Sequence, residues 1–104
     1  MLLLRPPKEV PLSDIRVCNA SNVTLHDVTV AKVDYGDLSA GECTEYKSWG
    51  PAYRSERVAY QADGVRHARD PVPALGASPL GAGRFTYVLT LTPPRSFSVK
   101  LLSE

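Results

Sequence analysis

The chain contains two cysteines, Cys18 and Cys43, which are its strongest candidates for covalent or metal chemistry. Zinc sites built on cysteine usually need closely spaced pairs, and two lone cysteines without a CxxC spacing predict no zinc site. Cys18 shares its strand alternation with Arg16, and Cys43 shares its own with Glu45, so we expect both side chains to point away from the core. A disulfide between neighbouring strands and a pair of unpaired thiols are both compatible with this placement.

Acidic and imidazole side chains are too scattered to predict a catalytic or metal site. His26 and Asp27 are adjacent and could supply half of such a site, but a surface pair is favoured because no other residue has ligand spacing. Asp34, Asp37 and Glu42 superficially suggest calcium, yet their spacing fits no EF-hand loop. The sequence also lacks a nucleophile elbow, a phosphate-cradling glycine loop and an HExxH motif. We therefore expect a protein that is not an enzyme and that holds no metal or cofactor.

The aromatic segment around Trp49 is the preferred candidate for contacting a ligand or partner. Trp49 stands before a Gly-Pro break, where a turn would carry its side chain to the rim of the domain, and Tyr53 and Arg54 follow closely. Aromatic side chains in such a place can bind a sugar or peptide, or they can close the open end of the core. Both roles remain open, and we take Trp49, Tyr53 and Arg54 as the binding candidates.

Length and charge restrict the class of protein. With 104 residues, 43% of them hydrophobic and 22% charged, the chain has the size and composition of one ordinary globular domain. Its net charge of +1 gives no global attraction to nucleic acid, and acidic residues interrupt the densest basic stretch at 54–69. No segment approaches the roughly 20 apolar residues of a membrane span. We expect a periplasmic or extracellular location if a leader has been removed, and a cytoplasmic one otherwise.

The first half of the chain reads as strands separated by turn clusters. Residues 1–13 contain three prolines and predict an extended arm, with the folded domain at 14–104. Ile15 and Val17 alternate with polar neighbours, which predicts a strand beginning near residue 14. A second strand is expected at 23–33, with a bulge at residues 26–27 where the apolar alternation shifts. The composition of 34–37 (DYGD) then predicts a turn.

The second half contains the clearest strand pattern. Asp63-Gly64 predicts a tight hairpin turn, because both residues tolerate positive φ. Prolines and glycines at 70–83 predict a long loop. Alternating apolar residues at 85–91 and again at 97–101 predict a terminal antiparallel hairpin. The sum of about six or seven short strands predicts an all-β, antiparallel two-sheet sandwich.

Four segments carry a resemblance to a known group of proteins: 17–21 (VCNAS), 35–38 (YGDL), 52–54 (AYR) and 79–87 (PLGAGRFTY). Together they resemble a group of small uncharacterised bacterial domains that often follow a secretion or lipoprotein leader. The resemblance implies an immunoglobulin-like or transthyretin-like sandwich in the bacterial envelope, and it carries over no catalytic residue.

Pattern and resemblance together lead to the hypothesis of a non-enzymatic binding or accessory module of the cell envelope. The expected partner is an envelope protein or a second copy of the chain. The alternative is a structural domain that forms a homodimer by pairing its edge strands.

Overall fold

The protein, seen in a computed structural model, is described here over residues 11–71, 78–92 and 96–103. Over these residues its regular structure is all β and comprises eight strands: β1 (Ser13–Asn19), β2 (Leu25–Val30), β3 (Val33–Leu38), β4 (Lys47–Trp49), β5 (Val58–Ala62), β6 (Val65–Arg69), β7 (Arg84–Thr92) and β8 (Ser96–Ser103). This part of the chain forms no helix long and apolar enough to cross a membrane.

The strands form two four-stranded sheets that pack face to face. Sheet A has the order β4-β1-β7-β8, and sheet B has the order β3-β2-β5-β6. Neighbouring strands are antiparallel, except that β1 and β7 run parallel in the middle of sheet A. The predicted two-sheet sandwich is confirmed, with eight strands rather than six or seven and with one parallel pair.

The core lies between the sheets and follows from the two-residue alternation of their strands. In β1, Ile15 and Val17 are fully buried, while Asp14, Arg16 and Cys18 between and beside them lie on the outer face and are only half-buried. Val28 and Val30 of β2, and Tyr87 and Leu89 of β7, follow the same rule. Other large apolar side chains that are fully or nearly fully buried include Leu25, Leu38 and Val58, and Leu25 lies three residues before Val28 because of a register shift in β2. Burial of this one face stabilises both sheets together.

The prediction of one strand over residues 23–33 is wrong, because the chain turns inside it. Ala31 and Lys32 adopt φ values of 51° and 70°, which form the tight turn of a hairpin between β2 and β3. Neither residue belongs to the types that usually signal such a turn. The predicted bulge at residues 26–27 is confirmed, since the register of β2 shifts between Leu25 and Val28 and Asp27 has a φ of 47°.

The predicted turn at 34–37 is also wrong, since these residues lie within β3. Tyr35 and Leu38 bury their side chains in the core, and this burial outweighs the turn-like composition around them. Gly36, at a φ of 75°, supplies the irregular backbone that the shifted register opposite Val28 requires.

The later predictions agree with the structure where it describes the chain. Asp63 and Gly64 form the turn between β5 and β6, and β7 pairs with β8 along its length. Residues 78–83 form no strand, while 72–77 of the predicted loop lie outside the described residues. Of the predicted arm, residues 1–10 also lie outside them, and Ser13 is already part of β1.

The β2–β3 turn predicts a stabilising substitution. Left-handed backbone costs a non-glycine residue about 1–2 kcal/mol, partly offset by the greater freedom of glycine when unfolded. Lys32→Gly should therefore raise the free energy of unfolding by about 0.5–1 kcal/mol in urea denaturation. The matched control is Gly64→Ala, which meets no atom within 4 Å and adds only backbone strain at a φ of 73°. It should lower stability, and a loss of stability in Lys32→Gly would contradict the assignment of the turn.

Candidate functional site

Trp49 lies at the side of the sandwich between β3 and β4, where it packs against the core rather than standing free. Its indole Nε1 donates a hydrogen bond to the Tyr35 hydroxyl at 2.8 Å, and that hydroxyl donates to the Ile15 carbonyl at 3.0 Å. Burial raises the pKa of Tyr35, and the bond from Trp49 partly opposes this shift. Of the two roles predicted for Trp49, its position matches closure of the core.

Tyr53 is fixed through its backbone. Its N–H donates to Glu56 Oε2 at 2.9 Å, and its carbonyl accepts a hydrogen bond from the Tyr87 hydroxyl. Burial, reinforced by the negative charge of Glu56, raises the pKa of Tyr87 and keeps that hydroxyl a donor. The segment between β4 and β5 is thereby anchored at Tyr53, and Arg54 follows as an exposed side chain.

Arg54 lines a pocket of about 190 Å³ at the opposite side of the sandwich from Trp49, between β6 and β8. The other lining residues are Ser55, Glu56, Arg69, Asp70 and Val99. The structure therefore separates the three binding candidates. Trp49 closes one side of the core, and Arg54 belongs to a charged pocket at the other side. Tyr53 directly precedes Arg54 and does not line this pocket.

The charges around this pocket are largely fixed by neighbouring groups. Arg57 forms an ion pair with Asp70, and Arg69 donates from Nη1 to the Phe97 carbonyl at 2.9 Å. Glu56 accepts the Tyr53 N–H, and burial raises its pKa. Three arginines and two carboxylates thus meet here, leaving a local excess of positive charge.

The pocket adjoins β8, which is the outermost strand of sheet A among the described residues and whose orientation follows from hydrogen bonding. The Leu89 carbonyl accepts from Ala20 N at 2.8 Å, so the backbone groups of Leu89 face β1 and not β8. Because Leu89 is opposite Val99, the backbone groups of Val99 face away from β7. The Phe97 carbonyl, two residues before Val99, accepts from Arg69 and so also faces away from β7. Leu101, two residues after Val99, has the same backbone orientation. The edge of β8 therefore presents N–H and C=O groups beside the pocket.

Sequence reasoning missed Glu56, Arg69, Asp70 and Val99 as site residues. Arg69 lies in a basic stretch that was interpreted as solvated strand surface, and the pocket forms only when three separate chain segments meet. Its single local signal was the closeness of Arg54 to the aromatic segment.

Cys18 and Cys43 are joined by a disulfide on the outer face of sheet A, with their Cα atoms 4.0 Å apart. Hydrogen bonds of 2.8 Å flank the bridge, from Asn19 N to the Glu42 carbonyl and from Thr44 N to the Val17 carbonyl. Opposed residues between such bonds have their side chains close together, which suits a disulfide. The bridge holds residues 42–44 against β1.

The acidic residues considered as calcium ligands each bind the backbone of a nearby turn or bulge instead. Asp34 accepts from Gly36 N at 2.9 Å, and Glu42 accepts from Ser39 N at 2.8 Å. Asp37 accepts from Asp27 N at 3.0 Å; this bond, with His26 nearby at 3.5 Å, lowers the pKa of Asp37. No cluster of three potential metal ligands occurs within the part of the chain that the structure describes.

In comparisons with known proteins, no protein-family model and no curated protein matches the chain.

Removal of the disulfide should destabilise the domain measurably. The bridge spans a sequence separation of 25, for which loop-closure entropy predicts a stabilisation of about 3 kcal/mol. The double variant Cys18→Ala, Cys43→Ala should lose about this free energy of unfolding in urea. Dithiothreitol should lower the melting temperature of the wild type but not that of the variant; equal stability of the two proteins would contradict the prediction.

Glu56 predicts a pH dependence of stability. Burial raises its pKa above the ordinary 4.5, so the folded state binds its proton more readily than the unfolded state. This carboxyl therefore favours folding most at low pH, and its contribution falls as the pH rises through 4.5 and above. Glu56→Gln keeps an acceptor for Tyr53 N–H, so its stability relative to wild type should rise between pH 4 and pH 7 in urea titrations. Glu45→Gln at an exposed position is the control, and an unchanged difference for Glu56→Gln across this range would refute the prediction.

Proposed function

We propose that this protein is a non-enzymatic binding module of the bacterial cell envelope, which holds an extended segment of another envelope protein against the edge of β8. The observation that carries this proposal is the orientation of Val99 and Leu101, whose backbone groups face away from β7. An exposed edge of this kind binds an added strand through main-chain hydrogen bonds. The adjacent pocket around Arg54 supplies side-chain contacts at the same edge.

The location in the envelope is supported by the disulfide and by the resemblance to bacterial envelope domains. Disulfides form and persist in oxidising compartments such as the periplasm and are rare in the cytosol. The bridge between Cys18 and Cys43 therefore favours a secreted domain.

The strand order favours the transthyretin-like alternative over the immunoglobulin-like one. Immunoglobulin constant domains place their first strand beside their second in a sheet of order ABED. Here β1 lies between β4 and β7, and β2 belongs to the other sheet. The two sheets of four strands support the transthyretin-like alternative.

A second candidate is a structural domain that forms a homodimer through the same edge. β8 is eight residues long, and the pairing groups of two copies could meet in an antiparallel arrangement. Lys100 on the outer face opposes such pairing, because edge lysines discourage self-association. Sedimentation distinguishes the two: a homodimer that dissociates on substitution of the edge favours this candidate, and a monomer favours the binding module.

Val99→Pro tests the binding module. Proline removes an N–H that faces away from β7, so the internal ladder is preserved while an incoming strand loses a hydrogen bond and meets a steric block. Recovery of the partner from the envelope fraction of the producing cells should fall at least about tenfold, because one main-chain bond is lost and the proline ring blocks the approaching strand. Lys100→Ala, which leaves the edge amides intact, should recover the partner as wild type does.

The fold of the variants provides the internal control. Val99→Pro should keep a cooperative thermal transition, whereas Lys100→Pro removes a bond to β7 and should lose about 1–3 kcal/mol of stability. Equal partner recovery by folded Val99→Pro and wild type would exclude the edge of β8 as the binding surface.

A further inference from the structure

We propose that the pocket beside Val99 is a carboxylate anchor, so that the partner segment is an extended peptide with a carboxylate at the point where it meets Arg54 and Arg69. This inference rests on the proposed addition of a strand at the edge of β8. It adds the chemical class of the segment and the place where the segment ends.

The position of Arg69 limits how far an added strand can run. Its guanidinium donates to the Phe97 carbonyl across the gap between the sheets, and it therefore occupies the edge of β8 at Phe97. Val99, Leu101 and Ser103 share the outward parity and lie on the far side of this contact. Arg69 therefore prevents a strand that pairs with these three residues from extending along β8 past Val99 to Phe97.

The charge at that limit favours an anionic group. Asp70 is neutralised by Arg57, and Glu56 is engaged by the Tyr53 N–H. Neither Arg54 nor Arg69 forms an ion pair with another described residue. Two guanidinium groups that line one pocket can bind a carboxylate through several charge-assisted hydrogen bonds.

The size of the pocket sets the size of the group. About 190 Å³ is below the 300–1,000 Å³ typical of sites that enclose a small molecule, and it is comparable to cavities that hold a single ring. The pocket therefore fits one acidic side chain or one chain terminus. Since an aspartate or glutamate side chain and a free C-terminus offer the same carboxylate, the shared chemistry is what the pocket recognises.

Titration of the ¹⁵N-labelled protein with synthetic peptides separates the anchor from the strand addition. The probes are hexapeptides of alternating threonine and valine: one with a free C-terminal carboxylate, one amidated with a terminal glutamate, one amidated with a terminal glutamine, and one amidated with a glutamate at the N-terminal end. We expect amide shifts at Val99 and Leu101, and at least one carboxylated peptide should bind about tenfold more tightly than the glutamine peptide. The tightest of the carboxylated probes identifies the source and direction of the carboxylate.

Protein variants locate the effect. Arg54→Gln should abolish the preference for carboxylated peptides, and Arg69→Gln should do the same. The control Arg66→Gln should not, because Arg66 is an exposed residue of the same strand that donates instead to the Asp27 carbonyl at 3.0 Å. Equal affinities for carboxylated and glutamine peptides, with Val99 and Leu101 still shifted, would overturn the anchor and leave strand addition standing. A carboxylate preference that depends on Arg54, without shifts at Val99 and Leu101, would overturn strand addition and with it this inference.

Discussion

The hydrogen bonds between β1 and β7 determine which backbone groups of sheet A remain unpaired at its edge. Each strand residue directs its N–H and C=O to a single neighbour, and successive residues alternate between the two sides. Once Leu89 is committed to β1, Val99 opposite it has no partner within the sheet. The central parallel pair therefore fixes both which side chains fill the core and which backbone groups remain at the edge of β8. The proposed function depends on this parity more than on any single side chain.

Part of this architecture could be predicted from the sequence because alternation is a local property. Ile15 and Val17 revealed the buried face of β1, and alternation at 85–91 and 97–101 revealed the terminal hairpin. The turn at Ala31-Lys32 carried no glycine or asparagine, so pattern alone extended the strand of β2 through the turn to residue 33. The candidate site was harder to foresee, because Arg54, Arg69 and Val99 come from segments that only the packing of two sheets brings together.

Three aromatic side chains carry polar groups at the core, and each of these groups donates a hydrogen bond. Trp49 donates to Tyr35, Tyr35 donates to a β1 carbonyl, and Tyr87 donates to the carbonyl of Tyr53. Buried hydroxyl and indole groups need such partners, because leaving one unpaired costs about 1–3 kcal/mol. The first two bonds connect the two sheets, and the third ties the chain between β4 and β5 to β7 of sheet A. Arg54 consequently extends from a segment anchored at Tyr53, which reduces the entropy cost of the proposed contact with a partner.

The disulfide also determines how the domain would respond to mechanical load. Force applied along the chain passes through the covalent bridge between Cys18 and Cys43, so the enclosed β2–β3 hairpin never carries tension. A ring of this length withholds roughly 80 Å of extension from a stretched chain. Even if strands outside the ring were pulled apart, residues 18–43 would remain a closed loop around which the sandwich could re-form. The bridge between Cys18 and Cys43 thus limits how far the folded chain can be stretched.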